Sequence, residues 1–122
     1  MKFDSTLVIR DTGGEAVFDN AINRNHLPIA EFLERNVRNA PAGTDVGKMG
    51  ALLGLHHKLK TANGTVELAK DEEAALKDIL KLFQNMPWWV PMSLTYLLWP
   101  ESLPEDQRAT VAMWYAPKVE GG

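Results

Sequence analysis

The chain has no cysteine, which excludes disulfides and thiolate-held metals and leaves nothing that argues for secretion. It also lacks a basic surplus. Thirteen Lys and Arg against 16 Asp and Glu give a formal net charge of −3, whereas proteins that grip phosphate backbones usually carry a basic balance or a clustered basic face. The densest basic run, HHKLK at 56–60, is thin and is followed by Glu67, Asp71, Glu72 and Glu73. No apolar run reaches membrane-spanning length. Positions 82–100 carry no formal charge, but Pro87 and Pro91 interrupt them, and the unbroken part is about eight residues where a span needs roughly twenty. The start, MKFDSTLVIRD, has too short an apolar run and too early an aspartate for a signal peptide. A cytoplasmic setting without a membrane span is therefore expected.

Chemical motifs are scarce as well. GKMGALLG has neither the spacing nor the Lys-Ser/Thr ending of a phosphate loop. Asp11-Thr12-Gly13 looks like the triplet of the aspartic proteases, but the likeness covers about six residues of a mostly helical chain, and Asp and Gly in that order serve a turn for local reasons. Of the three histidines, His56 and His57 point about 100° apart on a helix, so they do not both readily face one metal, and a zinc site would have to combine His26, one of that pair and an acidic residue. No catalytic, cofactor-binding or metal-ligating residue is assigned, no cofactor is expected, and the chain does not read as an enzyme.

What is present is an ordinary globular composition, 45% hydrophobic and 24% charged over 122 residues, enough for one core. FDSTLVIR, DTGG and EAVFDN read as a β-hairpin, with TVEL at 65–68 as a candidate third strand. From Pro28, the apolar residues Ile29, Phe32, Leu33 and Val37 recur at helical spacing. A second helix, capped by Thr44 or Asp45, would present Val46, Met49, Leu52, Leu53, His56 and Leu59, and the glycines within it suggest close approach of a neighbouring backbone. VELAKDEEAALKDILKLF predicts a third, with acidic residues at its positive end and a stripe of Leu76, Ile79, Leu80 and Phe83. A helix over 89–99 follows, and a last one starts near Pro104 and runs through Tyr115. The predicted fold is α+β, a mostly helical single domain over 1–117 with the hairpin packed on four to five helices, and a flexible tail at 118–122.

The segment PWWVPMSLTYLLWP, 87–100, is apolar nearly all round once folded as a helix, leaving only Ser93 and Thr95 for water. Two placements compete: burial at the centre of the fold, or one side on the core and the other on a partner. Trp, Tyr and Met are enriched at interface centres, so the candidate protein-binding residues are Trp88, Trp89, Met92, Tyr96, Trp99, Trp114 and Tyr115. The partner would be a foreign protein or a second copy closing a homodimer about a two-fold axis. The competing class is nucleic-acid binding through HHKLK with Arg24, Arg35 and Arg38.

The order of a hairpin with GGEAVFD, two helices, then NGTVELAKDEEAALKDIL resembles small phage-encoded proteins that share a Val-Glu-Leu followed by an acidic-capped helix. The likeness spans about residues 1–85. It implies a non-enzymatic accessory role in assembly or in binding a host or phage protein, and no role for any particular residue.

Overall fold

Asp11 organises the first turn. Its carboxylate accepts from the Gly13 and Glu15 amides at 2.9 and 3.0 Å, and Gly14 takes the left-handed conformation at φ 81°. That closes Arg10 against Ala16, and the Val17 amide donates to the Ile9 carbonyl at 2.9 Å. The aspartate of the protease-like triplet is thus spent on backbone amides. FDSTLVIR is not one strand, however. Asp4 accepts from both the amide and the hydroxyl of Thr6, at 2.9 and 2.6 Å, and this local capture bends the chain between two extended pieces.

A computed structural model describes residues 1–20, 22–23, 25–40, 45–81 and 86–116. Strand β1 (Lys2–Asp4) pairs antiparallel with β4 (Thr65–Glu67), setting Phe3 opposite Val66. Both side chains are buried. TVEL therefore does supply a further strand, on the first arm. A second small antiparallel sheet joins β2 (Phe18–Asn20) to β3 (Asn25–His26). Among the described residues, five helices lie around these strands, α1 (Ile29–Arg38), α2 (Val46–Lys60), α3 (Lys70–Leu80), α4 (Trp89–Leu98) and α5 (Glu105–Ala112), with short 3-10 turns at Pro100–Ser102 and Met113–Tyr115. The architecture is α+β and mostly helical. The last helix ends at Ala112, three residues before the expected Tyr115.

Helix α1 buries Ile29, Leu33 and Val37 as its spacing predicts. Helix α2 is capped by Asp45, which accepts from the Lys48 amide at 3.0 Å; Thr44 lies outside the described residues, as do Arg24, Phe83 and the tail at 118–122. The buried face of α2 departs from expectation. It consists of Ala51, Leu52, Leu55 and Leu59, while Val46, Met49 and Leu53 face solvent. Apolar residues occupy both sides of this helix, so periodicity alone does not choose between them, and packing against α1 and α3 does.

Helix α3 begins at Lys70 rather than at Val66 because the preceding residues are drawn to β1, with the Leu68 amide donating to the Met1 carbonyl at 2.9 Å. The Glu72 carboxylate turns back to accept from the Ala69 amide at 2.8 Å and from Lys58 Nζ at 2.5 Å. Gly54 is what admits it. A Cβ built there would lie 2.6 Å from Glu72 Oε2, whereas Gly50 faces open space. The close approach expected of the α2 glycines is thus made at Gly54, and by a buried carboxylate rather than a neighbouring backbone.

Burial alone would raise the Glu72 pKa, but the Lys58 and Ala69 bonds outweigh it and hold the group below the ordinary 4.5. The depressed folded-state value sets the sign: stabilisation is complete above 4.5 and is lost as pH falls through the lower folded value. Urea unfolding of the native protein and Glu72→Gln, compared from about pH 6 to about pH 3, should show the native advantage shrinking towards the acid end. A constant difference would remove this role for Glu72.

Candidate protein-binding groove

Pro87 and Pro91 start α4 rather than break it. Pro91 sits in the first turn, where its missing amide has no helical partner to lose. This start places Trp88 at the N-cap, 65% exposed, with Met92 one turn further on. Helix α5 presents Asp106, Gln107, Thr110 and Val111, and Trp114 follows in the next turn, so these residues share one side at helical spacing. Together with Trp88 and Met92 they line an open groove of about 200 Å³. Trp88 stands edge-on to Trp114, with ring centroids 6.2 Å apart and planes at 63°. The floor is well packed, since Val111 and Trp114 are 3% and 9% exposed.

Three of the seven candidate residues, Trp88, Met92 and Trp114, therefore meet in this groove. Tyr96 and Tyr115 lie elsewhere. They stack at 5.3 Å and 29° and line a second cavity of about 470 Å³ with Thr6, Leu7, Val8, Arg10 and Leu97. The Tyr115 oxygen accepts from the Arg10 amide at 3.0 Å and shares a hydrogen bond with the Ser93 hydroxyl. Burial pushes the Tyr115 phenol up, although these bonds oppose the shift. Ser93, expected to face water, is fully buried, because Tyr115 supplies the partner that its hydroxyl requires.

Trp99 is not a surface residue. It is 5% exposed and belongs to the main core, and its indole donates to Glu73 Oε1 at 2.8 Å. That bond, followed by Lys77 against an opposing effect of burial, holds Glu73 below its usual range. Lys77 Nζ also lies 5.2 Å from the Trp99 ring centroid. Trp89 is half-buried and packs against the same core. Asp106, Gln107 and Thr110, which complete the groove, were not among the sequence candidates. Their only signal is helical spacing: Gln107 is four residues before Val111, Thr110 four before Trp114, and Asp106 four before Thr110.

The basic cluster is largely engaged within the fold. Lys58 is held by Glu72, Arg35 pairs with Glu31 at 2.8 Å, and Arg38 lies 3.7 Å from Glu34. His56 donates to Glu34 at 2.8 Å. Among the described residues no group of three or more His, Asp or Glu side chains could hold a metal ion, and no helix is long and apolar enough to cross a membrane. Fold and site together define a small α+β domain with an aromatic-headed surface groove. No protein-family model, curated protein or solved structure matches the chain.

Proposed function

We propose that this chain is a non-enzymatic protein-binding accessory protein that docks a partner in the groove between α4 and α5. One observation carries the reading: Trp88 is 65% exposed beside a floor of buried Val111 and Trp114. A lone tryptophan on a surface needs no explanation, but one heading a packed apolar groove has the composition of an interface centre. The resemblance of residues 1–85 to small phage-encoded accessory proteins supports the same role, with a host or phage protein in the cytoplasm as the partner. Nucleic-acid binding is the weaker reading because Lys58, Arg35 and Arg38 already face carboxylates.

Affinity capture from source cells should compare the native protein with Trp88→Ala and with Leu53→Ala, a control on another exposed surface. Loss of a central tryptophan typically weakens an interface by about 2 kcal/mol or more, roughly 30-fold. The expected result is a partner retained by the native and Leu53→Ala proteins and lost by Trp88→Ala. Equal capture by all three would reject the groove. Sedimentation at micromolar concentration asks whether the partner is a second copy, in which case Trp88→Ala shifts the protein to monomer.

A further inference from the structure

The Trp88 and Trp114 planes meet at 63° with centroids 6.2 Å apart, forming two walls of a corner. Asp106 lies on the rim of the same groove, and Met92 and Val111 line it. Indole faces attract cations through their quadrupole, most strongly when the cation is partly desolvated. The surrounding sequence sharpens this. Between Lys81 and Arg108 there is no Lys, Arg or His, while Glu101, Glu105 and Asp106 are all acidic. Arg108 is turned away, donating to the carbonyls of Pro100 and Leu103 at 3.0 and 3.1 Å.

The chain's other aromatic clusters show the contrast. Trp99 has Lys77 at 5.2 Å, and Tyr115 has Arg10 at 5.9 Å. Among the described residues no cation stands over Trp88 or Trp114, and a carboxylate lines their groove instead. We propose that the groove takes one cationic side chain, arginine or lysine, from the partner protein. The alkyl stem lies along Met92 and Val111, and the charged head sits in the indole corner facing Asp106. A space of about 200 Å³ suits a single long side chain. Such side chains bury their stems while keeping the head near a polar rim. This assignment rests on the protein-binding reading above and names the chemistry of its partner.

The test is an NMR titration of the full chain with n-butylguanidinium, its neutral counterpart n-butylurea, and butyltrimethylammonium. Butylguanidinium should move the Trp88 and Trp114 indole resonances and bind roughly three- to tenfold tighter than butylurea. Asp106→Asn should reduce that preference, added salt should weaken it, and Trp88→Ala should abolish the shifts. Both substituted residues are exposed, so a dispersed spectrum will confirm that each variant is folded. Equal affinity for butylurea would overturn the cation assignment and leave an apolar protein-binding groove standing. Absence of shifts with all three probes would also overturn it. Tighter binding of butyltrimethylammonium than of butylguanidinium would replace a partner's side chain with a quaternary ammonium ligand. The protein-binding reading itself fails separately, through capture that ignores Trp88→Ala.

Discussion

Trp99→Ala should lower the unfolding free energy by about 3 to 5 kcal/mol, as truncation of large aromatic residues in cores does. Trp88→Ala should lower it by about 1 kcal/mol or less, losing only an edge contact at the surface. Both tryptophans flank the same helix, and both belong to the segment that sequence singles out as a candidate surface. They differ in where the fold puts them. Trp99 is 5% exposed, its indole N–H bonds Glu73 at 2.8 Å, and Lys77 lies beside its ring. Its removal would leave a cavity in the main core and strip Glu73 of its neutral donor. Trp88 is 65% exposed. Urea unfolding followed by circular dichroism measures both, and comparable losses for the two variants would contradict the placement. Any loss of partner binding by Trp99→Ala would then report unfolding rather than a missing contact.

Leu55→Ala should cost about 2 to 5 kcal/mol, while Leu53→Ala should stay within about 0.5 kcal/mol of the native protein. Leu55 is fully buried and Leu53 is 72% exposed. Two positions apart on one helix, they lie roughly 200° around its axis and so on opposite faces. The same urea experiment reads both, and an expensive Leu53→Ala would mean that α2 is turned the other way.

How far the fold could be read from residues depended on contrast. Helix α1 was plain because Ile29, Leu33 and Val37 alternate with Glu31, Glu34, Arg35 and Arg38, so only one face could go inward. Helix α2 was ambiguous because Val46, Met49 and Leu53 mirror Leu52, Leu55 and Leu59 across the axis. The Asp11 turn was legible, since its hydrogen bonds reach only to Gly13, Gly14 and Glu15. The bend at Asp4 depends on bonds just as local, but the β-branched and aromatic residues around it masked the signal. For the groove, Trp88, Met92 and Trp114 were visible as residue types. Asp106, Gln107 and Thr110 look like any solvated helix face until α5 is laid beside α4.

Ser93 and Glu72 make the same point with polar groups. A serine in an apolar helix is expected to face water, and an acid near a helix start to lie at the surface. Here Ser93 finds Tyr115, 22 residues away, and Glu72 finds Lys58, 14 residues away, with Gly54 leaving room for the carboxylate. These partners come from other helices, and a buried polar group is stable only where such a partner is supplied.

The class of the protein is legible in its residues alone: a cysteine-free α+β domain whose Asp11 turn, Asp45 helix cap and aromatic C-terminal segment follow from local hydrogen bonding and hydrophobic spacing. Packing of the helices settles which indoles are core and which head a groove, where α3 starts, which side of α2 is inside, and what satisfies Ser93 and Glu72. The difference is one of range. Capping and turn formation involve residues a few positions apart, whereas burial depends on how much apolar surface neighbouring elements can cover, and that is known only once they are packed together.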